Sequence, residues 1–436
     1  MSLFLSQNPN LLTPLMLKHC IVIFVLLGSF LMQSQTKDTI NVEQDSIKKT
    51  EFIKQLGNGY FPTNYFNIDL RYLIKYNQYE GFRTGLGGIT NSKFSKKYRI
   101  NGYLVYGFLD HTFKYSFGGG FRIAQKTETW INLSYTDDLQ ETGSSNFLTD
   151  KRFFQFFEPR LLNINLFHHH VTKAIGLEHQ FSNYLLSETQ LAVSKIEPTY
   201  NYVYVLHGKS YTNFDISTAK IALQWSPFSV YESKDDVITQ TQNGYPKFTF
   251  QYTKSFKDVL NSDFNFSKID FRTIYKFNIT PKTTTEVTLT SGIAIGNTPL
   301  THLYHAYPNN INKETILQRF SVAGINSFET MFFNEFFSDK FTTLQLKHAL
   351  KPFNISQRFK PQLVLITRYA VGNMSHIERH QNMYFNTLNK GYTESGIEIN
   401  KLLFGFGLSF AYRYGAYHLP KREDNIALKF TFNIAL

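Results

Sequence analysis

Histidine has the most obvious chemistry in this chain, and it clusters three times: "SHIERH" at 375–380, "HHH" at 168–170 and "THLYH" at 301–305. A zinc peptidase helix needs two His four apart with Glu directly after the first. His376 and His380 have that spacing, but Ile377 occupies the Glu position and no helical period surrounds them. Neutral imidazoles at His168, His169 and His170 are competent metal ligands, yet no carboxylate pattern stands beside them, so a solvated loop or interfacial position is expected. His302 and His305, if strand-borne, face opposite ways and carry the same expectation. Asp137 and Asp138 offer hard oxygen ligands for a divalent cation, and read as a polar strand end. "FGGGF" at 117–121 lies in an alternating run, where glycine permits curvature or close packing. No phosphate-cradling loop occurs, and nothing singles out a Ser–His pair for lipid hydrolysis. No catalytic residue, metal or cofactor is therefore assigned, and the chain reads as a non-enzymatic protein.

Charge offers a better clue. Arg71, Lys75, Lys114, Arg122, Arg272, Lys276, Arg413 and Lys429 all fall on the polar parity of runs whose other parity is apolar. Turned into an enclosed space, they bias it toward anions or hydrated solutes. Alternatively they pair with acids on the same parity, such as Asp69, Asp270 and Glu286, and Glu80 with Arg83; pairing is the preferred account.

The elements that position these residues have a period of two. Phe66, Ile68, Leu70, Tyr72, Ile74 and Tyr76 oppose Asn67, Asp69, Arg71 and Lys75. Similar runs lie at 81–90, 98–108, 113–124, 129–137, 171–181, 184–196, 212–226, 246–256, 264–279, 284–296, 315–336, 341–351, 361–371 and 392–401. The last 33 residues form a hairpin: Phe404 through Tyr414 and Ile426 through Leu436 each place large apolar residues on one face. Residues 138–170 do not alternate and are expected to form a large loop with an interfacial helix.

Composition agrees with strands. Aromatics reach 17 %, with 43 Phe and 27 Tyr, and charged residues 18 %. The net charge of +12 is spread along the chain; its densest cluster, "KFSKK" at 93–97, reads as a solvated loop, so a nucleic-acid partner is not indicated. Cys20 is the single cysteine, which rules out an internal disulfide and a Cys-based metal site. It borders an apolar stretch after Lys18 that fits an export signal and is too short for a comfortable membrane helix. Residues 1–35 are thus expected to be a signal peptide, with Met16 a second candidate start. Residues 36–62 form a short periplasmic segment, helical in part, and residues 63–436 the structural domain.

A soluble sandwich also alternates. Here, however, the apolar parity carries Phe, Tyr, Leu and Ile through nearly every run, as on the lipid-facing side of a transmembrane barrel, whose edges must be closed. The fold expected is all-β: an antiparallel transmembrane β-barrel of about 16 strands, from roughly 23 residues per strand and connection. Outer-membrane lipid is then its surroundings. The turn "HLPKRED" is placed outside the cell, and the last strand is expected to pair with the first.

The stretch 76–115, with Asn77, Glu80, Gly81 and Arg83 followed by Gly102, Tyr103, Tyr106, Gly107 and Asp110, resembles an Asn-x-x-Glu-Gly-x-Arg plus Gly-Tyr-x-x-Tyr-Gly-x-x-Asp pattern. Its bearer is an outer-membrane family called domain of unknown function 5686, mainly from Bacteroidetes. "WSPF" at 225–228, "GYPKF" at 244–248, "KPFNISQRFKPQL" at 351–363, "KGYTESGIEINKLL" at 390–403 and "AYRYGAY" at 411–417, which holds Tyr412, Arg413, Tyr414 and Gly415, extend the match. The resemblance implies a barrel and no catalytic residue. Typical members carry a carboxypeptidase-regulatory-type sandwich ahead of the barrel that has no counterpart here, so its task is expected to be lost or to fall to a separate polypeptide. The functional expectation is transport, export or envelope assembly, with an envelope protein as partner; a small-solute or anion channel and a membrane-embedded lipid hydrolase are the alternatives.

Overall fold

The computed structural model describes residues 56, 59–148, 159–234, 237–315, 318–356, 359–403 and 405–432. The expected signal peptide and most of the 36–62 segment lie outside these residues. In chain order the strands are β1 (Tyr60–Pro62), β2 (Phe66–Asp69), β3 (Ile74–Asn77), β4 (Gly81–Thr90), β5 (Tyr98–Gly107), β6 (Phe113–Ala124), β7 (Thr129–Glu141), β8 (Phe167–Ser182) and β9 (Leu185–Pro198). Then come β10 (Val203–Leu206), β11 (Lys209–Tyr211), β12 (Phe214–Trp225), β13 (Val230–Lys234), β14 (Val237–Gln242), β15 (Lys247–Ser255), β16 (Phe266–Thr280) and β17 (Thr283–Gly296). The remainder are β18 (Pro308–Asn310), β19 (Ser321–Val322), β20 (Phe328–Phe332), β21 (Lys340–Ala349), β22 (Gln362–Asn373), β23 (His380–Gln381), β24 (Tyr392–Leu403), β25 (Phe406–Tyr414) and β26 (Ile426–Phe432).

One antiparallel ladder dominates. From β4 it passes β5, β6, β7, β8, β9, β12, β15, β16, β17, β21, β22, β24 and β25 to β26, each strand paired with the next. β2 and β3 both pair with β4 and act as halves of one leading strand. Alternation sets the two faces. Phe117, Leu133, Ile175, Leu191, Leu344, Leu365 and Phe410 stand exposed on one face, while Lys114, Arg272, Arg368, Glu394, Arg413 and Lys429 are buried on the other. That is the inverse of a water-soluble protein and the pattern of a barrel whose outside meets hydrocarbon.

Most of the long connections share one end, where residues 142–166, 199–213, 297–339, 374–391 and 415–425 join strands; at the other end 125–128, 183–184 and 281–282 are tight turns, while 226–246 and 350–361 are longer. The long loops pack together: Tyr202, Tyr204, Leu300, Leu303, Tyr304, Phe337 and Met374 join strand residues Phe214, Phe266 and Phe341 in one apolar cluster. β10, β11 and β23, from two of these loops, add a small antiparallel sheet to this cap.

Five expectations need correction. The run Phe66–Tyr76 is not one alternating strand. Asp69 accepts from the Arg71 backbone N–H at 3.0 Å and caps a 3-10 turn over Leu70–Tyr72. Tyr72 is thereby turned off the outer parity and stacks on Tyr103 at 4.1 Å. Residues 315–336 are not a wall strand; the described part is a loop with the short β19 and β20, in which Phe328, Met331 and Phe336 are buried. Described residues of 142–166 include buried Phe147, Leu148, Arg160, Asn163 and Ile164 rather than an interfacial surface, and 149–158 lie outside the description. The "HHH" run opens β8 instead of a solvated loop: His168 is buried, 3.2 Å from Thr142 Oγ1, and His169 Nε2 meets Asp137 at 2.6 Å. His302 and His305 sit in and after the 3-10 turn Leu300–His302, where strand parity does not apply.

Candidate functional site

The quoted motif assembles where β3 to β7 meet the long-loop end. Asn77 Oδ1 accepts from the backbone N–H groups of Tyr79 and Glu80 at 3.0 and 2.8 Å, turning the chain between β3 and β4, and its side-chain amide donates to Glu80 Oε2 at 2.5 Å. Gly81 continues the turn at φ +66°, in a region costly for other residues. Glu80 is then almost fully buried and takes Lys114 Nζ at 2.9 Å, while Lys114 also meets Asp110. Arg83 grips both oxygens of Asp138 at 2.7 Å, and Tyr103 donates to the same carboxylate at 2.5 Å. This is a charge-assisted, bidentate network in a poorly solvated place, which rigidifies the hairpins it links. In the adjoining turn, hydrogen bonds from Lys114 and Thr112 outweigh burial and hold the Asp110 carboxyl below its usual value.

A second network fastens loop 297–339 to the inner face of the last strands. Arg368 on β22 donates to Glu394 on β24 at 2.7 Å. Glu394 in turn accepts from the loop: the Glu329 and Thr330 N–H groups at 2.9 Å each and the Thr330 hydroxyl at 2.5 Å. Glu329 accepts from Asn309, Gly324 and Ser327 and lies 3.4 Å from Lys429 on β26. Arg413 on β25 forms a two-pronged pair with Glu335 at 3.0 and 2.6 Å. Loop 142–166 is tied to the same body, since Glu141 receives Arg160 at 2.5 Å and His305 at 2.7 Å.

At β26 the loop does something further. Ser321 and Val322 pair in parallel with Lys429 and Phe430, and the Ala323 N–H donates to the Phe430 carbonyl at 2.7 Å. Phe320 packs edge-on against Phe430 at 4.5 Å. Asn163 reaches Ser321 Oγ at 3.2 Å, and Gln78, just after β3, donates to the Leu162 carbonyl at 3.1 Å. Two loops thus stand between the last strand and the first.

The sequence-selected charges therefore scatter over several networks. Lys114, Arg413 and Lys429 belong to the two above. Arg71 binds Asp69 in a planar pair, Arg122 lies 3.6 Å from Glu128 and stacks over Trp130 at 4.6 Å, and Lys276 meets Glu286 at 3.4 Å from a half-exposed position. Arg272 caps the Phe147 ring at 4.0 Å, and Lys75 lies opposite Arg83 in the β3–β4 register. Tyr412 and Tyr414 face outward, with hydroxyls 3.1 Å from His418 and 3.0 Å from Ser395, and Gly415 ends β25 at φ +81°. Asp270 accepts from Tyr304 at 2.6 Å. Arg368, Glu394, Glu329 and Glu335 were not among the selected residues. Parity alone marks the first two, and acids set in the apolar run "FETMFFNEFF" mark the others. Within the sheet a polar space of about 520 Å³ remains, bordered by Arg71, Arg99, Trp130, Glu178 and Gln240.

Comparison with known families matches residues 57–331 to the C-terminal domain of a family of unknown function, DUF5686. The chain belongs to that family. No curated protein matches it. Among solved structures, the DUF5686 chain is similar to BamA from Haemophilus ducreyi lacking POTRA domains 1–3. That likeness has a TM-score of 0.52 and 9 % identity over 92 % of this chain and 79 % of that one. It is also similar to CdiB from Acinetobacter baumannii, with a TM-score of 0.43 and 11 % identity over 81 % of this chain and 57 % of that one. The first likeness supports the outer-membrane β-barrel fold for the DUF5686 sheet.

Proposed function

We propose that the protein is an outer-membrane β-barrel with a non-enzymatic role in export or envelope assembly, exercised at the edge of β26 and not through an open lumen. The ladder from β2 and β3 to β26 is in keeping with the about 16 strands of such a barrel. The observation that carries this reading is the parallel pairing of Ser321 and Val322 with β26. An unpaired strand edge templates the addition of another strand; a pairing of two residues covers only a short part of such an edge. Exchange of this segment for an extended strand of another polypeptide is the route the geometry offers. Loop 297–339, pinned by Arg368, Arg413 and Lys429, supports a blocked interior.

A Val322→Cys/Phe430→Cys pair tests the edge, because these residues are partners in the register. The expected result is an intramolecular disulfide on oxidation and an envelope defect that reductant reverses; a complete lock without a defect counts against the role. The polar space beside Arg71 and Arg99 favours a second reading, a small-solute or anion channel. Planar-bilayer recording separates the two: silence is expected, and stable anion-selective steps would replace the first reading by the second.

A further inference from the structure

On the outer face, the hairpin loop after β15 bends back over the wall. The Phe256 N–H donates to the Ser217 carbonyl at 3.2 Å, and the Ser217 hydroxyl donates to the Val259 carbonyl at 2.8 Å. Val259 and Leu260 are held there with their side chains largely exposed. Together with Phe117, Leu133, Ile175 and Leu191 they border an apolar groove of about 1340 Å³, beyond the roughly 300–1,000 Å³ of a small-molecule pocket.

One cation lines the long-loop side of this groove and a second stands just beyond it. Lys173 on β8 and Lys195 on β9 share the outward parity of Ile175 and Leu191, and both are exposed. In the β8–β9 register Lys173 lies opposite Val193 and Lys195 opposite Val171. The lysines are therefore diagonal neighbours, with Cα atoms about 7 Å apart, close enough for two flexible ammonium groups to converge on one anion. Among the described residues no hydrogen bond or ion pair holds either ammonium group. Lys173 is flanked across the strands by Tyr135 and Val193; Lys195 has Asp215 opposite it, and Asp137 beyond Tyr135 is engaged by His169. Tyr115 and Tyr135 stack at 6.0 Å beside Lys173, as aromatic residues do at a membrane–water boundary. Lysine on a lipid-facing wall is costly unless it reaches the interface and finds an anion there.

We propose that this surface binds a phosphate-bearing lipid of the leaflet at the long-loop end, with its acyl chains in the groove and its phosphate between Lys173 and Lys195. The proposal rests on the membrane-embedded reading above and is independent of the role of β26. Neither a neutral lipid nor a free phosphate satisfies both halves of the surface.

Native mass spectrometry of the folded full chain in neutral detergent tests it, using diphosphorylated lipid A and its dephosphorylated form as probes. Retention of the diphosphorylated lipid is expected, at least ten-fold weaker in Lys173→Gln/Lys195→Gln and in Leu260→Asp, and undiminished by excess inorganic phosphate. Equal retention of the two lipids, retention unchanged in both variants, or displacement by inorganic phosphate overturns the proposal. Heat-modifiable gel migration of the same samples reports folding separately. A wild-type chain that is freely soluble without detergent refutes the membrane reading itself, whereas a folded, detergent-dependent barrel that ignores phosphate refutes only the lipid site.

Discussion

Arg368 and Glu394 face each other across the β22–β24 register, 2.7 Å apart, and neither side chain is more than 1 % exposed. Glu394 uses its other capacity to hold two N–H groups of loop 297–339. Removing it strands a buried guanidinium and frees the loop at once. Glu394→Ala is therefore expected to cost about 3–5 kcal/mol, the usual penalty for breaking a buried pair from one side. The check is the denaturant midpoint in detergent; Glu394→Gln, which keeps an acceptor, is expected to fall between wild type and Ala. A change within about 0.5 kcal/mol, the range of ordinary surface substitutions, would show that the loop is held elsewhere.

The family motif yields a prediction about geometry. A side chain at Gly107 would collide with Asp110 and come within 2.9 Å of Lys114 Nζ. Gly107→Ala is expected to push Asp110 away from Lys114 and leave Lys114 to Glu80 alone. Destabilisation of about 1–3 kcal/mol follows from that forced shift. Because the damage is to the turn, Asp110→Asn in the Gly107→Ala background should cost less than the sum of the single changes; strict additivity would break the link.

Much of the wall was legible in the sequence, because burial on one face and lipid on the other impose a period of two on every strand. The terminal hairpin follows that parity, with Leu408 opposite Phe430 and Phe410 opposite Leu428. Legibility failed where a side chain intervened locally, as Asp69 does at Arg71, and where a loop is itself core. Phe328, Met331 and Phe336 are apolar because they fill the interior against Ala370 and Tyr392, a tertiary cause that leaves the same residue types as a strand. Charge pairing was visible in outline only. Parity puts Arg413 inside, but its partner Glu335 comes from a loop 78 positions away, a distance no local pattern encodes.

Acidification should loosen the cap. His380 Nδ1 on β23 lies in hydrogen-bond contact with the Tyr202 hydroxyl at 2.9 Å, and burial, then the Arg379 charge, push its pKa down to about 4. A depressed histidine is neutral when folded and gains a proton more readily when unfolded. Its contribution is complete above about 6.5 and is lost as pH falls toward about 4. Hydrogen exchange in Val203–Leu206 and at His380 is expected to speed up between pH 7 and pH 4.5. His380→Phe should flatten that dependence, and an unchanged pH profile in the variant would assign the effect to other groups.

The cover on β26 can be loosened at one atom. Ala323 donates its N–H to the Phe430 carbonyl at 2.7 Å, and proline has no N–H to give. Ala323→Pro should therefore release segment 320–323 from β26 while Glu329, Lys429 and Glu394 still hold the body of the loop. Hydrogen exchange is expected to rise in β26, above all at Lys429 to Thr431, with β22 and β24 unchanged. Oxidative cross-linking of Val322→Cys to Phe430→Cys should fall in parallel. If β26 stays fully protected in this variant, its edge is paired to something other than the chain's own loop, and closure onto the first strand becomes the account of its stability.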